Sequence, residues 1–151
     1  TLKHPVKKVS LMIWGDPSLY DSALRIAERL DPMPSVKVVP GITSIQALAS
    51  AHQIPINDLG SPFLVTTGRQ LREGGFPKDY EKVVVMLDGD CSFNTLNRSD
   101  FYIWWGAYLG MKDEIIFSGN LDDVADSIVK KRKEARDKHG WIMDTYLIKK
   151  C

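Results

Sequence analysis

The stretch LMIWGDPSLYDSALRIAERL, at residues 11–30, restricts the fold more than any other part of this chain. An apolar run over residues 9–14, typical of a buried strand, stops at Gly15-Asp16-Pro17, and apolar residues then recur with helical spacing. Proline suits the first turn of a helix because its missing N–H costs nothing there, and the aspartate before it can accept hydrogen bonds from free amides. The pattern therefore predicts a buried strand that passes through a tight turn into a helix over residues 17–30.

The same arrangement returns one strand later. A second strand is predicted over residues 36–39, the sequence PGITS at residues 40–44 makes a tight turn, and a helix is predicted over residues 42–53. Two strands joined by a helix of this length indicate a βαβ unit of a parallel sheet. Open α/β sheets bind ligands at the carboxyl ends of their strands, so we expect the two turns to face one crevice. The alternative is that both turns only reverse the chain and cap the helices.

The sequence IPINDLGSP, residues 54–62, is rich in residues that favour turns, and we expect a domain boundary there. The predicted fold class is α/β, with the last portion of a parallel-sheet first domain over residues 1–55 and a mixed-sheet α/β second domain over residues 56–151. The polar residues 68–82 are predicted to form a long, mobile loop. The other elements predicted for the second domain are strands at residues 63–67, 83–87, 101–105, 114–117 and 141–148, a short helix at residues 91–96 and a long helix at residues 121–138.

Composition argues against several classes of function. The 151 residues contain 20 lysines and arginines against 19 aspartates and glutamates, so a net charge of +1 provides no broad basic surface for nucleic acid. The longest apolar run, residues 83–87, is far shorter than the ~20 residues of a membrane helix. The two cysteines, Cys91 and Cys151, form neither a disulfide framework nor a CxxC metal pair, which favours a reducing, cytoplasmic location without a metal site.

Several motifs taken together identify a family. The sequences GDPSLY and VVPGITS, followed by TTGRQL, VVMLDGDCSFNTL, WGAYLG and HGWIMDTYLIKK, resemble the tetrapyrrole methylases, which are S-adenosylmethionine-dependent enzymes of corrin and sirohaem synthesis. The resemblance covers essentially all 151 residues. Trp14 stands where sirohaem-type members carry a further glycine, and SLYDS replaces their Phe-Gly-Arg-Gly turn, which favours the corrin branch. The family's glycine-rich first loop is absent, so we expect the amino-terminal part of the enzyme to be missing.

The resemblance implies a homodimer that transfers the methyl group of S-adenosyl-L-methionine to a tetrapyrrole without a metal. A sulfonium methyl is already an activated electrophile, so transfer mainly needs the donor and the acceptor carbon held in line in a dry pocket. The cofactor contacts carried over from the family are Gly15, Asp16, Leu19, Thr43, Ser44, Met86 or Leu87, and the backbone near Tyr108, with Met143 as a further candidate.

The resemblance also implies a second step, in which an acyl group leaves as acetate and a base assists the attacking water. The candidates for this base are Tyr20 and Asp21, whose alternative role is an ordinary place in the first turn of a helix, together with Asp88 and Asp90.

Two further residues are candidates for contacts with the macrocycle. Arg69 is a donor suited to the carboxylate side chains of a tetrapyrrole, although a solvated loop position is the alternative. Trp105, in the aromatic sequence FYIWWGAYLG, could stack on a flat ring, and its alternative is a buried strand.

Two other functions remain open from the sequence. One is a methylase of the same fold that acts on a diphthamide intermediate or on ribosomal RNA. The other is a non-catalytic α/β interaction domain.

Overall fold

The computed structural model describes residues 8–151, so the first part of the predicted first domain, residues 1–7, lies outside the described residues. The chain forms two compact units, one ending at Thr43 and the other beginning at Ser44. The division therefore falls near the start of the helix predicted over residues 42–53, whereas the sequence places a domain boundary at the connector of residues 54–62. None of the described helices is long and apolar enough to cross a membrane.

Helix α2, Ser44–His52, explains why the division comes early. Its apolar residues Ile45 and Leu48 are buried, and the helix packs on the sheet of the second unit. The Nε2–H of His52 donates to the backbone carbonyl of Trp105 at 3.0 Å, which anchors the end of the helix to that sheet. The histidine therefore has the structural role that an isolated histidine on a helix most often has.

The first unit differs from its prediction. Residues 9–14 and 36–39 form no strand, and their apolar side chains, such as Met12 and Val39, are largely exposed. A strand needs a neighbouring strand to which it is hydrogen-bonded, and the described residues of this unit form no strand. The predicted helix over residues 17–30 is reduced to α1, Ala23–Ala27. Most helical stability comes from burial of an apolar face, and Ile26 on this face is 52% exposed.

The second unit contains a five-stranded mixed sheet, as the sequence predicts. Its strands have the order β1-β2-β5-β3-β4; β1 and β2 are parallel, and the other neighbouring pairs are antiparallel. Strand β2 reads KVVVM, a β-branched run that pairs on both edges and is nearly all buried, with Val83 and Val85 in the main core and Val84 on the face that α2 covers. The strands are β1 Leu64–Thr67, β2 Lys82–Met86, β3 Phe101–Ala107, β4 Ile115–Asn120 and β5 Asp144–Lys150.

The loop predicted over residues 68–82 is wrong in its first half, which forms helix α3, Gly68–Gly74. The hydroxyl of Thr67 accepts a hydrogen bond from the backbone N–H of Gln70 and caps the helix, and Leu71 is buried beneath it. Glycines at both ends of the segment gave it the composition of a loop. The helix completes a βαβ unit between the parallel strands β1 and β2.

Two other helical predictions are confirmed. The short helix of the predicted segment 91–96 is a 3₁₀ turn at Ser92–Thr95, and the long helix is α4, Leu121–His139. The apolar residues of α4 recur every three or four positions and cover one face of the sheet. The largest fully buried side chains of this core are Trp105, Tyr146, Phe93, Leu71, Ile103, Leu121 and Ile128.

The topology brings several chain segments to one edge of the sheet. Strands β2 and β3 are each antiparallel to β5, so their carboxyl ends and the start of β5 lie together. Ala107 at the end of β3 is opposite Asp144, the first residue of β5. We call this the strand-end edge; its segments are Thr67–Gly68, Met86–Leu87, Ala107–Tyr108 and Met143–Asp144.

Candidate functional site

In the first unit, the carboxylate of Asp16 joins the two turns that the sequence singles out. The backbone N–H of Gly41 donates to its Oδ2 at 2.8 Å, and the backbone N–H of Ser18 donates to its Oδ1 at 2.9 Å. The turns approach closely, because a Cβ on Gly41 would lie only 2.1 Å from the carbonyl oxygen of Gly15. The two turns therefore contact each other within residues 15–43, and the crevice that we expect them to face stays a prediction.

Hydrogen bonds from the Ser18 hydroxyl and from the Gly41 and Ser18 amides hold the pKa of Asp16 below its ordinary value of 3.8. Because the folded-state pKa is lowered, the link between the turns persists above the ordinary value and is lost only as the pH falls through the lowered one. We expect the amide proton shift of Gly41, followed by NMR from pH 7 to pH 2, to titrate below pH 3.8.

Replacement of Asp16 by asparagine should abolish that titration, and the exposed Glu28→Gln variant should leave it unchanged. An inflection at or above the ordinary value would show that the carboxylate does not bind the Gly41 amide in solution.

Asp21, one of the two candidate catalytic residues, has a structural role in the first unit. Its Oδ1 accepts from the backbone N–H of Ala23 at 2.7 Å, and its carbonyl accepts from the guanidinium of Arg25 at 3.0 Å. It therefore accepts a hydrogen bond from the first amide of α1, a contact of the kind that the sequence assigns to Asp16. Tyr20 beside it is 44% exposed and has a left-handed backbone with φ of 52°. Leu19 closes the preceding turn, donating its N–H to the carbonyl of Asp16 at 3.2 Å.

The strand-end edge of the second unit combines apolar exposure with backbone strain. Leu87, directly after β2, is 64% exposed with φ of 53°, and Tyr108, directly after β3, has φ of 51°. A left-handed conformation costs a non-glycine residue about 1–3 kcal/mol and persists where the surroundings impose it. Met143 is half-exposed, and its carbonyl accepts from the N–H of Tyr108 at 3.1 Å. The exposed apolar side chains of Leu87 and Met143 have the character of a ligand contact surface, whereas Tyr108 itself is buried.

Ser44, at the start of α2, has a buried hydroxyl oxygen that forms no hydrogen bond within the described part of the chain. Leaving a buried hydroxyl unsatisfied costs about 1–3 kcal/mol, so such groups usually meet a ligand or a solvent molecule. This is the second-unit residue of the PGITS turn that the family resemblance singles out. A bound ligand with a polar atom near this hydroxyl would satisfy it.

Asp88, a candidate base, is buried, and its carboxylate already accepts several hydrogen bonds. Its carboxylate accepts from the hydroxyl of Tyr146 at 2.6 Å, and from the backbone N–H of Ser92 at 2.6 Å and its hydroxyl at 2.8 Å. Burial and the Asp88 charge raise the pKa of Tyr146, so its hydroxyl remains a donor. With these bonds in place Asp88 is a structural anchor and not a free base. Asp90 is exposed, and its carboxylate pairs with Arg72 at 2.7 Å.

Trp105 does not lie where a substrate could contact it, so this part of the prediction is wrong. Its side chain has no exposed surface and packs in the core beneath α4. Its indole N–H donates to the carboxylate of Asp144 at 3.0 Å. The alternation of β3 turns this side chain to the buried face. Arg69, by contrast, is exposed on α3 immediately after the strand-end edge, in a position that a ligand can reach.

The buried pair of Arg132 and Asp144 is not predicted from the sequence. Arg132 occupies a position on the buried face of α4, in step with Ile128 and Ala135, and Asp144 begins β5, just before its buried residues. A charged residue at an interior position of an amphipathic helix was the available signal, and the basic run KKRKEARDK masked it. No group of three or more potential metal ligands occurs among residues 8–151.

A family model for tetrapyrrole (corrin/porphyrin) methylases matches residues 4–125 of the chain. The chain is 48% identical over 145 residues to a Sinorhizobium protein named precorrin-6A synthase [deacetylating]. The alignment covers 93% of this chain but 55% of the relative, so the chain spans about half the length of that relative.

Two solved structures are also similar to this chain. A putative cobalamin synthesis related protein (CobF) from Corynebacterium diphtheriae superposes with a TM-score of 0.84 and 42% identity, over 91% of this chain and 59% of that one. The uroporphyrin-III C-methyl transferase of Thermus thermophilus, solved with S-adenosyl homocysteine, has a TM-score of 0.55 at 18% identity, over 89% of this chain and 62% of that one. The second similarity concerns the fold alone.

Proposed function

Because this chain belongs to the tetrapyrrole methylase family, we propose that it acts in corrin synthesis as an S-adenosylmethionine-dependent C-methyltransferase. The substrate we propose is precorrin-5, methylated at C-1 with release of acetate to give precorrin-6A. The observation that carries the proposal is the 48% identity, over nearly the whole chain, to a protein named precorrin-6A synthase [deacetylating]. We further propose a cytoplasmic homodimer, and light scattering of the purified protein tests the dimer.

The residues present fit the proposed cofactor in chemical type. In the first unit, Gly15 gives the Gly-Asp-Pro turn its positive φ of 85°, and Leu19 and Thr43 accompany Asp16 there. In the second unit, the exposed Leu87 provides an apolar surface. Other proposed cofactor contacts in the second unit are Ser44 through its unsatisfied hydroxyl, Met86, Met143 and the backbone at Tyr108.

S-adenosylmethionine, when bound, supplies a methyl group that needs no further activation. The protein's own contribution is then to bind and orient the methyl donor and its acceptor and to exclude water. Methyl transfer under these conditions requires no strong base. This agrees with the carboxylates of the described residues, since Asp21 and Asp88 are engaged in structural hydrogen bonds. Arg69 is the residue we propose to bind a carboxylate side chain of the macrocycle.

The test is a reaction of the protein with precorrin-5 and S-adenosylmethionine carrying a ¹³C-labelled methyl group. We expect one labelled methyl in the macrocycle, assigned to C-1 by NMR, together with one equivalent of acetate. The Arg69→Gln variant should raise the substrate KM more than it lowers kcat, and Lys130→Gln, on the exposed face of α4, should change neither. Labelling of a diphthamide intermediate or of ribosomal RNA, with none of precorrin-5, would contradict the proposed substrate.

Replacement of Leu87 by glycine should stabilise the fold and weaken cofactor binding. Relief of the left-handed backbone contributes roughly 1–2 kcal/mol, and the greater freedom of glycine in the unfolded chain offsets roughly 0.4–1 kcal/mol of it. We therefore expect the free energy of unfolding in urea to rise by about 0.5–1 kcal/mol, while the affinity for S-adenosylhomocysteine falls several-fold.

Leu59 supplies the control, because it is fully exposed without a left-handed backbone. Leu59→Gly should destabilise the protein slightly and leave the affinity unchanged. A Leu87→Gly protein that loses stability would show that the strained backbone is not present in solution.

A further inference from the structure

Arg132 binds two different segments of the strand-end edge with one guanidinium. Its Nε donates to Oδ2 of Asp144 at 2.9 Å, and its Nη2 donates to Oδ1 of the same carboxylate at 3.1 Å. The same Nη2 donates to the backbone carbonyl of Asp88 at 2.9 Å. The arginine is 8% exposed, so these contacts form away from bulk solvent.

Each segment held by this guanidinium adjoins a proposed cofactor contact. Asp88 directly follows the strained, exposed Leu87. Asp144 directly follows Met143, whose carbonyl accepts the N–H of Tyr108. The guanidinium therefore fixes the spacing of the two turns from beneath, without reaching the surface itself.

The carboxylate of Asp88 extends this bracing along the turn after Leu87. It accepts from the backbone N–H of Asp90 at 3.1 Å and from that of Ser92 at 2.6 Å, and the Tyr146 hydroxyl holds it from β5. Arg132 thus holds the main chain of Asp88 while three other residues hold its side chain. These contacts hold the residue that directly follows the left-handed Leu87.

Stability alone does not account for an arginine here. A buried ion pair contributes little net stability compared with apolar residues of the same shape. What apolar residues cannot supply is a rigid planar fork that binds a carboxylate on one edge and a backbone carbonyl on the other. A lysine at this position would carry the charge but could not reproduce the bidentate geometry.

We propose that Arg132 is a positioning residue that sets the spacing of the Leu87–Asp88 and Met143–Asp144 turns so that the cofactor surface is preorganised. This inference rests on the proposed function for its ligand, but the bracing itself is a property of the protein alone. Its consequence is that a folded Arg132 variant should bind the cofactor product weakly, although Arg132 does not touch it.

The test compares Arg132→Lys with Lys130→Met, a matched control on the exposed face of α4. Affinity for S-adenosylhomocysteine is measured by calorimetry at a temperature where both are fully folded by circular dichroism. Amide exchange of residues 86–92 is measured by mass spectrometry without ligand. We expect Arg132→Lys to weaken binding at least tenfold and to accelerate exchange at Asp90 and Ser92 at least tenfold, and the control to remain within twofold of the parent in both.

If Arg132→Lys does not fold, Asp144→Asn weakens the same fork from the other side and replaces it in both measurements. A folded variant with parental affinity and parental exchange would overturn the inference. A parent protein that binds no S-adenosylhomocysteine would instead count against the proposed function. In that case the amide exchange of residues 86–92 alone tests whether Arg132 braces the turn, and unchanged exchange in the variant overturns the inference.

Discussion

Gly68→Ala should destabilise the second unit by about 3–5 kcal/mol, although alanine is the better helix former. A Cβ at this position would lie 2.3 Å from Oδ1 of Asp88 and 2.5 Å from its Cβ. The Asp88 side chain cannot move aside, because it is 4% exposed and hydrogen-bonded to Ser92 and Tyr146. Overpacking costs roughly 1–3 kcal/mol, and each displaced hydrogen bond to a charged group costs roughly 1.5–3 kcal/mol.

Gly74→Ala is the control for this experiment. Gly74 ends the same helix, and a Cβ there would meet no atom within 4 Å. Helix propensity alone gives both substitutions the same sign, a stabilisation of up to about 1 kcal/mol. Urea unfolding should therefore separate them, with Gly68→Ala strongly destabilised and Gly74→Ala unchanged or more stable. Equal free energies of unfolding for the two variants would contradict the close packing of α3 on Asp88.

Arg132→Met should cost about 3–5 kcal/mol, since it leaves the buried carboxylate of Asp144 without its cation. Burial raises the pKa of Asp144 and the Arg132 guanidinium acts to lower it, so removing the guanidinium should leave a carboxyl that protonates instead of staying charged. The indole N–H of Trp105 would be its remaining side-chain donor. The measurement is the free energy of unfolding in urea, followed by tryptophan fluorescence.

The double variant Arg132→Met with Asp144→Leu separates loss of a partner from loss of packing. Because both charges are then removed, the double variant should lose about 2–3 kcal/mol less than the sum of the two single variants. Additive losses would mean that the two side chains do not interact in the folded protein.

Local patterns identify the second unit well because its contacts are made within the described chain. The β-branched run of β2 and the helical spacing of α4 each agree with burial on the sheet they build. The loop predicted at α3 fails because glycines at its ends outweighed the capping hydroxyl of Thr67 and the buried Leu71. Local composition could not reveal that Leu71 has a core to enter.

The first unit shows the opposite case. Residues 9–14 have the composition of a buried strand, but composition cannot provide the neighbouring strand that a sheet requires. The turn chemistry is independent of that sheet, and Asp16 therefore meets Gly41 as the paired turns suggest. The same contrast holds for the site residues. The turns could be identified from the sequence, whereas the burial of Trp105 and the hydrogen bonds of the Arg132 guanidinium depend on tertiary packing.

The most direct measurement is a calorimetric titration of the protein with S-adenosylhomocysteine, beside the variants Asp16→Ala and Glu28→Ala. We expect saturable binding with one site per chain, an affinity roughly tenfold or more lower for Asp16→Ala, and no change for Glu28→Ala. An Asp16→Ala variant with the affinity of the parent protein would contradict the role given to the Gly-Asp-Pro turn. A folded protein that gives no heat signal with this ligand at either of two well-separated temperatures would contradict S-adenosylmethionine as its methyl donor.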